Sequence, residues 1–132
     1  MNASQQLVRE LYAAFATGDL PGLLGRFADD MTWNEAEGFP YADGNPYVGG
    51  EAIVAGVFAR LGDDWEGFRV EVGEVVGGPE VVVMLGRYKG TDTKTGKPLD
   101  VQCSHTWWIA DGKVTRFQQM VDTLGVRTAA TA

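Results

Sequence analysis

The chain has 132 residues, of which 45% are hydrophobic and 22% charged, and its formal net charge is −7. This composition is typical of one globular domain that can bury a sizeable core without disulfides. Only 11 residues are Lys or Arg, and they are scattered, which excludes a nucleic-acid-binding surface. The single cysteine and single histidine exclude a disulfide framework and a metal site built from Cys or His.

The sequence shows no secretory signal and no membrane span. Residues 1–15 lack a basic start, and charged residues interrupt their apolar run. No apolar stretch approaches the roughly 18 residues that suggest a transmembrane helix. We therefore expect a cytoplasmic protein that does not contact a membrane.

The first half of the chain predicts helices. The segment LVRELYAAF repeats apolar residues at helical spacing, and we expect this first helix to end at Gly18. A second, short helix is predicted in DLPGLLGRF. The segment MTWNE predicts a short strand, and residues 36–47, which are rich in Gly, Pro, Asn and Asp, predict a loop. A third helix is predicted from Glu51 to Leu61, with Gly62 as its stop.

From Trp65 onward the apolar pattern becomes that of strands. FRVEV alternates, and EVVVMLGRYKG is an apolar run that predicts a central strand covered on both faces. PLDVQCSHTWWIA and KVTRFQQMV predict two strands joined by a hairpin. Helices followed by an antiparallel meander indicate an α+β fold, in which a curved sheet and its helices would enclose a cone. We expect residues 1–132 to form one domain, with residues 125–132 as a flexible tail.

His105 is the one polar residue on an otherwise apolar strand face. Alternate residues of a strand point the same way, and the other members of this face are Leu99, Val101, Cys103, Trp107 and Ile109. A buried imidazole needs a hydrogen-bond partner. His105 is therefore either a core histidine satisfied by a backbone carbonyl or a group on a cavity wall that is available for acid-base chemistry.

The hairpin determines which residues of the last strand share the face of His105. A three-residue loop over residues 110–112 would turn Phe117 and Gln119 inward, with Gln119 diagonal to His105. A two-residue loop would shift the register by one residue and turn Asp122 inward instead. The three-residue loop is favoured because it buries the apolar residues of the strand.

Glu35 is a candidate base at the edge of the same pocket. On a short strand Trp33 and Glu35 face the same side, and an apolar setting would raise the pKa of Glu35 toward neutrality. The alternative is a solvated acid in a loop. Tyr47 could line the pocket beneath the loop or only staple the loop in place. Asp122 could be an acid of the site or a cap at the end of a strand.

Three segments resemble the NTF2-like superfamily, and within it the SnoaL-like polyketide cyclases and ketosteroid-isomerase-related proteins. They are YAAFATGDLPGLLGRFADDMTW, NPYVGGEAIVAGVF and SHTWWIADGKVTRFQQMVDT, and the resemblance covers about Leu7 to Leu124. It implies a cystatin-like cone in which three N-terminal helices pack on a curved, mixed, mostly antiparallel sheet. It also implies a homodimer formed through the sheet, a contact that Trp108 on the opposite strand face could serve.

The resemblance assigns roles by position. Glu35 falls where ketosteroid isomerases have their aspartate base. His105 falls near the protonated aspartate that polarises the substrate oxygen in the isomerases, and near the histidine of the SnoaL-like cyclases. The isomerases' oxyanion-hole tyrosine aligns with Leu11, and Tyr12 would point about 100° away on a helix. The cyclases' aspartate on the last strand falls at Gln119.

These observations predict an enzyme that performs acid-base chemistry, as an isomerase, cyclase or lyase, on a hydrophobic carbonyl compound in an internal pocket. Glu35 would move a proton, His105 would donate to the carbonyl oxygen, and Gln119 would orient either His105 or the substrate, with Asp122 as a further candidate acid. The predicted substrate-binding residues are Trp33, Tyr47, Trp107, Phe117, Tyr12 and Phe15. No metal or other cofactor is needed if the developing oxyanion is stabilised. The alternative is a non-catalytic module or dimeric scaffold that binds an apolar ligand or a protein partner.

Overall fold

The computed structural model describes residues 1–132 and has an α+β architecture. The helices are α1 (Ala3–Ala16), α2 (Leu20–Leu24), α3 (Gly50–Ile53), which continues through a π-helical turn (Val54–Phe58) into α4 (Ala59–Asp64), and α5 (Thr123–Ala130). The strands are β1 (Phe27–Asn34), β2 (Tyr47–Val48), β3 (Trp65–Gly77), β4 (Val81–Asp92), β5 (Pro98–Ala110) and β6 (Lys113–Val121). None of the helices combines the length and the apolar character that a bilayer crossing requires.

The six strands form one mixed sheet in the order β2-β1-β6-β5-β4-β3. Strand β1 runs parallel to β6, and every other pair of neighbours is antiparallel. The helices of the N-terminal half pack on one face of this sheet, which confirms the predicted fold class. The core fills the space between them and positions the inward side chains of β4, β5 and β6 against α1.

Side-chain caps begin the first two helices. The Asn2 carboxamide oxygen accepts a hydrogen bond from the Gln5 amide at 2.8 Å at the start of α1. Gly18 follows α1 with a φ of 73°, a left-handed conformation that glycine adopts without strain. The Asp19 carboxylate then accepts from the Gly22 amide at 3.0 Å and begins α2.

The third helical segment is longer than predicted. Gly62 lies inside α4, so the expectation that it ends the helix was wrong. Gly62 keeps helical geometry instead of the left-handed φ of a helix-ending glycine, and the chain turns into β3 only at Trp65. Gly56, in the π-helical turn, has a packing role, because a Cβ there would lie 2.0 Å from the ring of Tyr47.

Helix α5 includes most of the segment 125–132 for which a flexible tail was predicted. The Asp122 carboxylate accepts from the Gly125 amide at 3.0 Å and caps helix α5. Val126 and Ala129 are buried on the side of α5 that faces β5. The segment thus supplies both a helix cap and apolar groups that pack on the sheet.

The β5–β6 hairpin closes on two residues, so the prediction of a three-residue loop was wrong. Ala110 pairs directly with Lys113, which leaves only Asp111 and Gly112 between the strands. Both loop residues have positive φ, 53° and 72°, as a type I′ turn requires. That turn is favoured because its twist matches the twist of the two strands.

A bulge in β6 nevertheless preserves the predicted inward face. Thr115 is an extra residue between two paired segments of β6, and it shifts the register by one. Phe117 and Gln119 therefore face inward as predicted, although the loop used for that prediction was wrong. Gln119 pairs directly with His105 instead of lying diagonal to it.

Strand β4 is covered on one face only in the single chain, which corrects the prediction of two covered faces. Val82 and Met84 are fully buried beneath the helices. The outward side chains of β4 and its neighbours form an exposed apolar surface, here called the outer patch, which consists of Val76, Val81, Leu85 and Met120. Isolated apolar residues are common on protein surfaces, but a group of them on one sheet face indicates a contact surface.

Candidate functional site

An apolar cavity lies between the helices and the inward face of the sheet. Sixteen residues line it, and thirteen of them are hydrophobic. The space in which the centre of a water-sized molecule can lie is about 50 Å³. The three remaining lining residues are Glu35, His105 and Gln119. These three side chains are far apart in the sequence, and each was predicted from it to belong to the site. The fold places all three at one apolar cavity.

His105 is held between two tyrosine hydroxyls. Its Nδ1 atom hydrogen-bonds with the Tyr12 hydroxyl at 2.6 Å, and its Nε2 atom hydrogen-bonds with the Tyr88 hydroxyl. The partners are therefore tyrosine hydroxyls and not the backbone carbonyl of the first sequence-based alternative, while His105 lies on a cavity wall as in the second. Burial lowers the pKa of His105 to about 3, so the imidazole is neutral at physiological pH.

Each tyrosine oxygen also accepts a hydrogen bond from a fixed N–H group. The Trp107 indole donates to the Tyr12 oxygen at 3.0 Å, and the Gln119 amide nitrogen donates to the Tyr88 oxygen at 2.9 Å. The Gln119 carbonyl oxygen accepts from the Ala36 backbone amide at 3.0 Å, which fixes the orientation of the side-chain amide. Gln119 therefore orients Tyr88, and acts on His105 only through it.

Tyr12, one of the predicted substrate-binding residues, points into the cavity although it lies about 100° from Leu11 on the helix. Both Leu11 and Tyr12 line the cavity, because α1 lies across the curved sheet and presents a stripe wider than 100° to it. The Tyr12 ring also stacks on the His105 ring, with 5.8 Å between centroids and 13° between planes. The network thus joins α1 to the centre of the sheet.

Tyr88 is the functional residue that the sequence analysis missed. It is buried and lies on the same side of β4 as Val82 and Met84, so strict alternation along that strand would have placed it inside. The continuous apolar run of β4 concealed this alternation. The tyrosine hydroxyl that hydrogen-bonds with His105 Nε2 was therefore not recognised.

Glu35 is buried immediately after β1, with only 2% of its surface exposed. Asn45 holds its backbone from both sides, because the Asn45 side chain accepts from the Glu35 amide at 2.9 Å and donates to the Glu35 carbonyl at 2.8 Å. Burial raises the pKa of the carboxyl group to about 7, although the Trp33 indole and the positive charge of Arg60 oppose the rise. Its Oε2 atom has no partner at good hydrogen-bond geometry.

The predicted aromatic wall is present around these polar groups. Tyr12, Phe15, Trp33 and Trp107 line the cavity. Phe117 does not line it but supports it from behind, since its ring stacks on Trp33 with 3.7 Å between centroids. The indole nitrogen of Trp33 is buried and makes no hydrogen bond of good geometry, but it lies close enough to the Glu35 carboxyl group to lower its pKa.

Residues 8–117 match the family model described as the SnoaL-like domain. This stretch covers most of the chain. The protein belongs to the SnoaL-like domain family.

Solved structures agree with this assignment. An NTF2-like protein from Burkholderia thailandensis is 33% identical to this SnoaL-like domain, with a TM-score of 0.93 and 100% of each chain covered. An NTF2-like protein of unknown function from Burkholderia pseudomallei is 28% identical, with a TM-score of 0.90 and the same coverage. TerC, co-crystallized with polyporic acid, shares the fold at 23% identity and a TM-score of 0.88, over 99% of this chain and 100% of that chain. None of the curated proteins matches the sequence.

Two predicted site residues of the SnoaL-like domain lie outside the cavity. The Tyr47 hydroxyl donates to the Tyr41 carbonyl at 2.6 Å, and its ring packs against Gly56, so Tyr47 staples the loop. Asp122 is exposed and caps α5. In both residues the polar group is engaged by nearby backbone, as the structural alternatives describe.

The arrangement combines two chemical capacities in one dry space. Glu35 has a carboxyl group that can take up or release a proton near neutral pH. The tyrosine–histidine network supplies hydroxyl donors whose positions are fixed before a ligand arrives. Hydrogen bonds in such an apolar setting are stronger than in water.

Proposed function

We propose that this SnoaL-like domain binds a hydrophobic carbonyl compound in the cavity and moves a proton on the carbon next to the carbonyl, without a metal or cofactor. The observation that carries the proposal is the buried Glu35 carboxyl group beside an apolar cavity, whose pKa is about 7 and whose Oε2 atom has no partner at good hydrogen-bond geometry. A general base is most effective when its pKa lies near the working pH.

In the proposed reaction Glu35 Oε2 takes a proton from the carbon next to the carbonyl. The electrons of the broken C–H bond form a carbon–carbon double bond, and negative charge develops on the carbonyl oxygen. A hydroxyl of Tyr12 or Tyr88 donates a hydrogen bond to that oxygen. Glu35 then returns the proton to the same or to another carbon, which makes the overall reaction an exchange or an isomerisation.

His105 acts as a positioning residue in this mechanism. Both of its ring nitrogens are occupied by Tyr12 and Tyr88, so it holds the two hydroxyls in place and does not itself reach the ligand. Gln119 likewise holds the Tyr88 hydroxyl in place, because its amide nitrogen donates to the Tyr88 oxygen. The mechanism therefore replaces the expected direct donation from His105 with donation from a tyrosine.

The co-crystal of TerC with polyporic acid supports a small molecule as the ligand, because TerC has the same fold. The aromatic wall of this chain favours a flat, apolar ligand. The second candidate function, binding without catalysis, uses the same cavity. The cytoplasm stays the predicted compartment.

A deuterium-exchange experiment tests the proposal. 2-Tetralone, a hydrophobic ketone, is incubated with the protein in D₂O at pD 8, and loss of the protons next to the carbonyl is followed by NMR. We expect the protein to accelerate exchange and Glu35→Gln to lower the protein-dependent rate by about 100-fold or more, since general bases contribute about 10²–10⁴. Glu37→Gln, at an exposed acid two residues away, is the matched control and keeps the parent rate. Exchange that persists in Glu35→Gln contradicts the proposed base.

We also propose that two copies of the chain pair through the outer patch. Leu85 is 45% exposed and Met120 57% exposed at the centre of the sheet, on the face that carries no helix. Trp108, suggested for this contact by the sequence, is half-buried, and the Arg116 guanidinium lies 4.2 Å from the centre of its ring. Trp108 thus contributes a cation–π pair at the border of the patch.

A further inference from the structure

Asn45 lies opposite Glu35, just beyond the end of the β1–β2 ladder. Trp33 of β1 pairs with Tyr47 of β2 in antiparallel register. The same register, extended by two residues, places Glu35 opposite Asn45. The regular pairing stops before this point, because β1 ends at Asn34 and β2 begins at Tyr47. The hydrogen bonds that hold the Glu35 backbone therefore come from groups other than a regular strand partner.

The Asn45 side chain takes the place of the missing backbone partner. Hydrogen-bonded pairs recur at every second residue of an antiparallel ladder, and the bond from the Gly49 amide to the Met31 carbonyl places them at the odd-numbered residues of β1. At Glu35 the Asn45 carboxamide makes both bonds of such a pair, accepting from the amide at 2.9 Å and donating to the carbonyl at 2.8 Å. The Asn45 backbone amide is already used, because it donates to the Ala42 carbonyl. A carboxamide offers the donor and the acceptor that this arrangement needs.

A second carboxamide holds the peptide group that follows Glu35. The Gln119 carbonyl oxygen accepts from the Ala36 amide at 3.0 Å. Three consecutive backbone groups, the Glu35 amide, the Glu35 carbonyl and the Ala36 amide, are thus bound by side chains. With its backbone fixed in this way, the position of the Glu35 carboxyl group depends only on its own side-chain torsions.

We propose that Asn45 is a positioning residue for Glu35, which fixes the Glu35 backbone from outside the cavity and thereby keeps the carboxyl group against the apolar wall. Asn45 is exposed and does not line the cavity, so it acts through Glu35 and not by contact with a ligand. This inference rests on the proposed function, in which the carboxylate has to meet a C–H bond of the ligand. A displacement of about 1 Å at a reacting group can lower a rate about 10²-fold.

The exposure of Asn45 allows positioning to be separated from folding. Water can replace the Asn45 side chain at the Glu35 backbone, so Asn45→Ala keeps the fold but frees the segment. Asn2 provides a matched control, because its carboxamide also binds two backbone groups. It accepts from the Gln5 amide at 2.8 Å and donates to the Gly77 carbonyl at 3.0 Å, and it does not line the cavity.

The pKa of Glu35 tests the positioning role without any turnover. It is measured in the full chain from the ¹³C shift of the carboxyl carbon as pH is varied. Burial holds this pKa at about 7 in the parent. We expect Asn45→Ala to lower it to about 6 or below, because the freed backbone lets the carboxyl group reach water. Asn2→Ala should keep the parent value. An unchanged pKa in Asn45→Ala, or an equal fall in Asn2→Ala, overturns the inference.

The exchange kinetics of 2-tetralone provide a second readout. They are compared at pD 9, where Glu35 is ionised. We expect Asn45→Ala to lower kcat about tenfold or more and to change KM by less than about threefold, since Asn45 does not touch the ligand. Asn45→Asp keeps the acceptor but presents a second oxygen to the Glu35 carbonyl, so it should also lower kcat. Asn2→Ala should keep both constants. A parent-like kcat in either Asn45 variant, or a loss confined to KM, overturns the inference.

Failure of the positioning role and failure of the proposed function are distinguishable. If the parent does not exchange 2-tetralone, the proposed function is overturned, and the pKa of Glu35 in Asn45→Ala alone decides the positioning role. If exchange depends on Glu35 while Asn45→Ala keeps the parent pKa and kcat, the proposed function stands and the positioning role is overturned.

Discussion

Glu35 and His105 respond to burial in opposite directions. Burial opposes charge, so it raises the pKa of the acid to about 7 and lowers the pKa of the base to about 3. Near neutral pH His105 therefore serves only as a neutral hydrogen-bonding group, and Glu35 is the group that can exchange a proton. Two titratable residues at one cavity thus have separate roles.

The effect of Glu35 on stability has a definite sign. Its folded pKa of about 7 lies above the value of 4.5 expected in the unfolded chain, so the folded state binds the proton more tightly. Stability is therefore lost as pH rises from about 4.5 to 7. We expect the stability of Glu35→Gln relative to the parent to increase by about 3 kcal/mol between pH 4.5 and pH 8.

Urea unfolding at several pH values measures this difference. Glu37→Gln, at an exposed position, should follow the parent across the same range. His105 contributes in the opposite sense, because its stabilising effect is lost as pH falls from 6.5 toward 3. Comparison of each variant with the parent at the same pH removes that contribution. A constant difference between Glu35→Gln and the parent would show that Glu35 is not buried as described.

At the residue scale the sequence predicted which side chains face inward better than it predicted their hydrogen-bond partners. Alternation along β5 placed His105 inside, because strand geometry allows only two faces. Alternation along β4 likewise places Tyr88 inside with Val82 and Met84, but the mostly apolar residues of that strand conceal the pattern. The orientation of Tyr12 depends on how α1 crosses the sheet, which is a property of tertiary packing and not of the helix alone.

At the element scale two departures from the sequence analysis compensate for each other. The hairpin is one residue shorter than predicted, and the bulge at Thr115 adds one residue back. The apolar periodicity predicts which side chains are buried. It does not predict the position of a bulge that compensates for a one-residue change in loop length. For this reason the inward set was predicted correctly from an incorrect loop.

The segment from α3 to α4 offers a matched pair of glycines. A Cβ at Gly56 would lie 2.0 Å from the Tyr47 ring, whereas a Cβ at Gly62 would meet nothing within 4 Å. We expect Gly56→Ala to destabilise the fold by about 1–3 kcal/mol, because the Tyr47 ring has to move. Gly62→Ala should stabilise it by up to about 1 kcal/mol, because alanine favours the helix. Urea midpoints measure both, and equal effects of the two substitutions would contradict the packing described for Tyr47.

At the scale of the whole molecule the fold was the most predictable feature. The order of helices and strands, together with the family resemblance, indicated the cone before any coordinates. The exposure of the outer patch was not predictable, because an apolar run in β4 is equally typical of a strand that is covered on both faces. Only the structure shows that the helices cover a single face.

The outer patch yields a prediction about assembly. We expect the parent to sediment as a dimer and Leu85→Lys to weaken association at least tenfold, since it places a charge in the buried centre of the contact. Val48→Lys is the control, because Val48 is 55% exposed on the edge strand β2, outside the patch. Sedimentation velocity over a range of concentrations measures the effect. A monomeric parent, or a Leu85→Lys dimer of unchanged affinity, would contradict the pairing.

The central claim concerns the proton of Glu35, and the pH dependence of ketone exchange tests it most directly. The protein-dependent exchange rate of 2-tetralone should increase with pH and level off above about 7, where the buried carboxyl group becomes ionised. Glu35→Gln should remove this dependence together with the rate. A rate that shows no inflection near pH 7, or that is the same in parent and Glu35→Gln, would contradict the account.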